Sequence, residues 1–484
     1  MQLQAVLSHI YEPVARFNKM TARVDAIGNT QRRHYVSRAN HKRASFDVLV
    51  LGAGAAGLAA AARLAENGKR VCVVEARDRI GGRILTRVEP DTAIPLELGA
   101  EFIHGRSPVT LRWLRRFNTP IIDASQARFS LREGQLLDAD DVFEEMKSGL
   151  ERVRRPTKDL PFAEFLDGPA RKVLSPRARK FARTLVEGFD AADATRASTH
   201  QILEEWSGSS AADAPTFRPQ HGYGGLVSAI AASFDPRTVH LHLNTVVSEV
   251  RWQRGQVTLR ATHFGDTVEF TAPQAIVSLP LGVLQLPVQS PHAVRFEPEL
   301  REKHSALAAL AAGPVIKVML KFREPFWEEL GDGEFRDAAF FHAPDAPFPT
   351  FWTPLPVRAP VIAAWCAGPN AARLAGLNDS QLVGRALESL TALFGDRPKL
   401  MSQLRGAHVH DWQADPFACG AYSYVTVGAS RARQVLARPL QNTLYFAGEA
   451  ADTSGEAATV AGALQSGEAA AQQILDLPRR KRRS

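Results

Sequence analysis

Phe46 to Gly57 reads FDVLVLGAGAAG, an apolar strand running into Gly52, Gly54 and Gly57 at GxGxxG spacing. No other stretch constrains the fold as strongly. Gly52 lets the chain turn tightly off the strand. Gly54, followed by Ala55 and Ala56, lets backbone N–H groups approach a pyrophosphate, and Gly57 lets the next helix pack close to the sheet. The helix N-terminus then faces the phosphates. The residues after Gly57 support the pattern: LAAAARLAENG favours a helix, and Lys69 to Glu75, KRVCVVE, reads as a second strand ending in a carboxylate. Glu75 lies 18 residues beyond Gly57, near the spacing at which an acidic side chain accepts from both hydroxyls of a ribose. A carboxylate there repels a 2′-phosphate, which favours FAD or NAD over NADP. The expected class is α/β, built on a Rossmann-like dinucleotide-binding domain.

ARDRIGGRILT comes directly after Glu75, and a strand-like LELGAEFIHG ends at Gly105. Here the chain resembles the flavin-containing amine oxidase family, which includes monoamine oxidases, polyamine oxidases and lysine-specific histone demethylases. EARDRIGGR carries the resemblance, joining the ribose-binding acid, three arginines and a glycine pair in one stretch. The resemblance implies that Glu75 and Ala76 take the adenosine ribose with Arg77 nearby. Gly81, Gly82 and Arg83 would lie by the pyrophosphate and flavin, and Gly99, Ala100 and Glu101 would complete that wall. Two phosphates need cationic donors, and arginine supplies them in a fixed fork.

The 484 residues allow two or three domains. The resemblance implies an FAD-binding domain of two-dinucleotide-binding type over 46–106, 217–297 and 405–476, interleaved with an α+β substrate domain over 107–216 and 298–404. Residues 107 to about 214 are Arg-rich and helix-favouring and read as a helical lid. From Val239 to Pro280 the pattern turns to strands, and the resemblance implies that the backbone at Val247 touches adenine. A basic extension (1–45) and tail (477–484) flank this core. The net charge of +8 sits in those ends: residues 1–45 carry +6 and Arg479 to Arg483 carry +5, leaving −3 between them. That distribution argues against a nucleic-acid face on the folded body. Apolar runs such as Leu307 to Ile316 are too short to span a bilayer, and Arg63 interrupts the alanine-rich helix. Cys72, Cys366 and Cys419 show neither metal-ligand spacing nor a disulfide framework. A cytoplasmic protein is the expectation, with organellar targeting by the Arg-rich N-terminus left open.

GPVIKVMLKFREPFW, Gly313 to Trp327, alternates as a strand with Val315, Lys317, Met319 and Lys321 on one face. By pattern alone Lys317 is a solvent-facing lysine. The resemblance implies instead that it holds a water at flavin N5. DWQADPFACGAYSYVTVG, Asp411 to Gly428, is most similar to the polyamine oxidase and demethylase branch. It implies Trp412 against the isoalloxazine and Tyr422 on the substrate side, an aromatic face suited to an amine. Monoamine oxidases attach FAD to a cysteine just before this tyrosine, whereas this chain has Ala421, so FAD is expected to be held non-covalently. TLYFAGEAADTSGEAATVAGALQSG then implies Gly448 and Glu449 at the ribitol side and Thr459 and Val460 at the N1 edge, under the positive end of a helix. Thr459 replaces the second tyrosine of the monoamine oxidase cage, which favours a longer or differently held amine. His104, in EFIHG, stands where several polyamine oxidases carry an active-site histidine, while Arg106 is placed to bind a carboxylate.

The resemblance therefore implies an oxidase whose FAD takes hydride from the carbon beside an amine nitrogen, with O2 as acceptor. The substrate expected is a polyamine or another primary or secondary amine. An amino acid or alkaloid oxidase is the rival enzyme, with Phe341 and Trp352 among the residues setting the choice. A flavin-bearing scaffold protein is the alternative of another class.

Overall fold

The computed structural model describes residues 46–124, 127–132, 134–207, 214–395 and 400–478. The basic extension at 1–45 and residues 479–484 of the basic tail lie outside the described residues.

The strands Val48–Leu51 and Val71–Val74 are buried at every position, as expected of a parallel sheet covered on both faces. They join three others in a five-stranded parallel sheet. Its order is Val239–His242, Val71–Val74, Val48–Leu51, Gln274–Val277, Leu444–Phe446. The chain leaves Val48–Leu51 at the sheet centre, where strand order reverses, which is where open α/β sheets bind ligands. Helices Ala55–Glu66 and Val460–Leu475 cover one face, their alanines and leucines forming one core with Val48, Val50 and Ile276. A Cβ on Gly57 would stand 2.0 Å from the Gly52 carbonyl oxygen, and one on Gly467 would stand 2.1 Å from that of Ala56. Glycine is what allows the two helices and the turn to touch. The other face is covered by a four-stranded sheet from Thr245–Gln253, Gln256–His263, Asp266–Ala272 and Arg295–Glu297, through Leu49, Leu51, Val257 and Leu259.

A seven-stranded sheet forms the second body. Its order is Leu404–Asp411, Val315–Phe322, Val361–Ala367, Thr350–Trp352, Ala338–His342, Ala127–Arg132, Gln135–Asp138. One face packs on Val318, Leu320, Phe341, Phe351 and Ile362. The opposite face carries Lys317, Met319, Trp352 and Trp365 toward the first body.

Three boundaries move. The region expected to be a helical lid does contain helices Asp140–Arg152, Phe162–Asp167, Pro176–Gly188 and Thr199–Trp206. It also contributes two strands to the large sheet, because Phe129, Leu131 and Leu136 are placed to cover its apolar face, a signal masked by the surrounding arginines. Helix Pro108–Arg116 packs on the dinucleotide-type core through Val109, Trp113 and Leu114, with the Trp113 indole N–H donating to Glu468 at 2.8 Å. The division drawn at 405 cuts a strand: Leu404–Asp411 pairs with Val315–Phe322 along its length.

Candidate active site

One cavity runs between the two bodies, with room for water-molecule centres over about 440 Å³. That lies in the range of small-molecule and cofactor sites. Its lining joins segments hundreds of residues apart.

At one end stands the Gly52–Gly57 turn. The Ala55–Glu66 helix has no side-chain cap and no acidic residue in its first turn, so its first N–H groups and positive end are open to an anion. Gly54 and the loop Gly81–Gly82 close over this end, and a Cβ on Gly54 would meet nothing nearer than 3.9 Å. Glu75 ends its strand with both carboxylate oxygens anchored, accepting from the Ala53 N–H at 2.7 Å and the Arg77 N–H at 2.9 Å. Burial pushes its pKa up, against these N–H groups. Val246 and Val247 line the same end. An uncapped helix end, a glycine cradle and an anchored carboxylate fit the pyrophosphate and ribose of a dinucleotide. Arg77 does not point its fork at this space. It forms a bidentate pair with Asp415, at 2.8 and 3.0 Å, and Asp415 also accepts from His410 Nε2 at 3.0 Å.

Midway, Arg83 reaches Glu449 Oε1 at 2.8 Å and the Ala421 carbonyl. Glu449 Oε2 accepts from the Ser423 hydroxyl at 2.6 Å. Burial raises the Glu449 pKa, but Arg83 and Arg433 outweigh it and the net shift is downward. Thr459 caps the Val460–Leu475 helix by accepting from the Gly462 N–H at 3.1 Å, which sets the positive end of that helix in the cavity wall.

Lys317 is 1% exposed. Its Nζ donates to Glu101 Oε2 at 2.7 Å and lies 4.9 Å above the Trp352 ring. The solvent-facing reading of its strand pattern is thereby overturned, because a second body covers that face. Glu101, expected among the cofactor contacts, directs its carboxylate to Lys317, to Arg218 Nε at 2.8 Å and to the Trp352 indole N–H at 3.0 Å. Burial raises its pKa, while the two cations hold it below the ordinary range. Trp412 is buried, with its indole N–H donating to the Leu98 carbonyl at 3.0 Å. Tyr422 donates to the Phe189 carbonyl at 2.5 Å, and burial, with Asp190 nearby, pushes its pKa up. The His104 ring packs edge-on against Phe189 at 5.1 Å, and burial holds its pKa at about 4.

Every residue nominated from the sequence lines this cavity except Gly57, which sits behind the turn. Two others named as determinants fall elsewhere. Phe341 is fully buried behind the large sheet, while its neighbours Phe340 and His342 face the cavity. Arg106 packs over Phe217 and is exposed, so it supplies no carboxylate-binding group here. Sequence reasoning missed Asp190 and Glu205, which no motif marks. Both carboxyl groups are pushed up by burial and then by a neighbouring carboxylate, Glu205 for Asp190 and Glu204 and Glu449 for Glu205, where Arg433 pulls the other way. The Trp206 indole N–H donates to Asp190 at 3.1 Å.

Residues 55–475 match the family model described as flavin containing amine oxidoreductase. The chain is 29% identical to lysine-specific histone demethylase 1 homolog 3 of Arabidopsis thaliana over 89% of its own length and 30% of that protein's. It is 27% identical to polyamine oxidase 4 of Oryza sativa subsp. japonica over 88% of both chains. A solved putrescine oxidase with putrescine bound has the same fold, with a TM-score of 0.74 at 20% identity, covering 90% of this chain and 99% of that one. The chain thus spans less than a third of the demethylase it matches.

Proposed function

The chain belongs to the flavin-containing amine oxidoreductases, and from that premise we propose that it oxidises a primary or secondary amine at the carbon next to nitrogen, using non-covalently held FAD and O2. The observation that carries this reading is the single cavity in which the Gly52–Gly57 turn and Glu75 are continuous with the buried Lys317–Glu101 pair. Per turnover, one amine, one O2 and one water become a carbonyl compound, an amine or ammonia, and H2O2. Bound FAD supplies the redox chemistry, accepting hydride from the substrate carbon and passing two electrons to O2.

The protein's part is to bind, orient and move protons. The uncapped N-terminus of the Ala55–Glu66 helix and the Gly81–Gly82 loop would hold the pyrophosphate, and Glu75 would hold the ribose. Arg77, fixed by Asp415, keeps the loop after Glu75 in place. The Lys317 ammonium has three donors. Glu101 takes one and the Gly99 carbonyl takes a long second at 3.4 Å, which leaves one to hold a water or pass a proton at Nζ. Trp412, Tyr422 and Trp365 wall the reacting end and exclude bulk water. His104, neutral at pH 7, can donate its ring N–H to the lone pair of a substrate nitrogen and so favour the uncharged amine that hydride loss requires. The helix capped by Thr459 adds a positive end to the same wall.

An oxygen-electrode screen of polyamines, monoamines and L-amino acids tests the reading. Peroxide release with amines lacking a carboxylate is expected. Turnover confined to L-α-amino acids would replace it with an amino acid oxidase, and a chain that turns over none of them would be left as a flavin-bearing scaffold.

No helix among the described residues is long and apolar enough to cross a membrane.

A further inference from the structure

The cavity floor is one face of the seven-stranded sheet, and strand register sets the distance along it. Lys317 pairs with Trp365, Trp365 with Thr350, Thr350 with His342, and His342 with Ser130. Arg128 lies two residues before Ser130 on the same strand, opposite Phe340, and therefore on the same face. Lys317 and Arg128 thus stand at opposite ends of the floor, four strand spacings or roughly 19 Å apart at the backbone. Over the Arg128 end, Phe143, Phe181 and Leu185 form the roof, and the guanidinium packs 5.4 Å above the Phe143 ring.

Charge separates this end from the rest. The other Lys and Arg side chains lining the cavity each hold a carboxylate: Arg77 holds Asp415, Arg83 holds Glu449 and Lys317 holds Glu101. Among the described residues no carboxylate pairs with Arg128. A guanidinium left open in an aromatic corridor suits a planar two-oxygen anion, which it binds through two parallel hydrogen bonds. The same group repels an ammonium.

We propose that Arg128 recognises a carboxylate at the far end of the substrate, so that this cavity selects long amines bearing a remote carboxylate over free polyamines. The proposal rests on the amine-oxidising reading above and narrows its substrate class. The oxidised carbon lies at the Lys317 end, and the carboxylate takes no part in bond-making.

The test uses the flavin-loaded enzyme with ω-aminododecanoate and dodecamethylenediamine, which share one length and differ in the charge at the far end. The wild type is expected to favour the amino acid by at least tenfold in kcat/KM. Arg128→Gln should bring the ratio near one, Arg128→Glu should invert it, and Arg128→Lys should keep a reduced preference for the amino acid. A wild-type preference for the diamine, or a preference that survives in a folded Arg128→Gln, overturns the proposal. Absence of turnover with every amine instead defeats the activity reading, and binding then decides the role of Arg128. Laurate should perturb the flavin absorbance at tenfold lower concentration in the wild type than in Arg128→Gln, and equal binding overturns the proposal.

Discussion

Lys317 Nζ and Glu101 Oε2 lie 2.7 Å apart, with side chains only 1% and 9% exposed, although 216 residues separate them in the chain. Removing one member of a buried pair normally costs about 3–5 kcal/mol, because the other charge is stranded. Glu101 keeps Arg218 and the Trp352 indole, so Lys317→Met should cost less, about 1–3 kcal/mol in urea unfolding. Turnover should suffer more than stability. Reoxidation of the reduced enzyme by O2, followed by stopped flow, is expected to slow at least about a hundredfold, the low side of what a positioned proton-transfer group contributes. An unaltered rate would remove Lys317 from the mechanism.

Two glycines of the same turn should fail in different ways. Gly57→Ala drives a methyl to 2.0 Å from the Gly52 carbonyl oxygen and 2.9 Å from Ser278 Oγ, so misfolded or flavin-free protein is expected. Gly54→Ala meets no protein atom nearer than 3.9 Å and should fold, yet its methyl intrudes where phosphates would lie. Thermal melting together with the flavin-to-protein absorbance ratio distinguishes these outcomes. A fully flavin-loaded Gly54→Ala would argue against the phosphate assignment.

Asp415→Asn leaves Arg77 without its two-pronged anchor and loosens the loop after Glu75. We expect FAD to bind about tenfold more weakly, a change of about 1.4 kcal/mol, with kcat little altered once FAD saturates. Titration of the apoprotein with FAD measures this. Unchanged affinity would mean that the Arg77–Asp415 pair serves only to join the two bodies.

With alanine at 421 and Cys419 at the wrong register, acid precipitation should release all the flavin into the supernatant. Yellow colour retained in the pellet would reveal a covalent link.

Burial holds the imidazoles of His104 and His342 at about 4 instead of the usual 6.5. As pH falls, the unfolded chain therefore takes up these protons first. Stability is untouched above about pH 6.5 and is lost between there and about pH 4, by up to about 3 kcal/mol for each group at 1.36 kcal/mol per unit. Unfolding free energies at pH 7 and pH 5 should show the drop, and His342→Gln should shrink it. An identical slope in that variant would show that His342 is not held neutral by the fold.

Local sequence carried much of the fold. The Val48–Leu51 strand, the glycine turn, the helix after it and the acid at 75 form a contiguous unit whose geometry depends on near neighbours, so spacing alone placed them. The Lys317 strand was equally legible as a strand, and its two faces were read correctly. Its environment was not, since alternation shows which residues share a face but not whether another body covers that face. The same ambiguity misplaced Phe341: one residue along a strand is the difference between cavity and core. Asp190, Glu205 and Arg128 gave no signal, because each sits in a segment whose local pattern is that of an ordinary charged surface.

The amino-acid sequence by itself pointed to a dinucleotide at Gly52–Gly57 and grouped Glu75, Arg83, Lys317, Tyr422 and Gly448, which line one cavity, because short-range backbone chemistry and motif resemblance are both written along the chain. Only the tertiary structure decided how the charges pair. Arg77, Arg83 and Lys317 find Asp415, Glu449 and Glu101 across hundreds of residues, and Arg128 finds no carboxylate among the described residues. Burial and ion pairing depend on which surfaces meet, and no segment of the sequence holds that information alone.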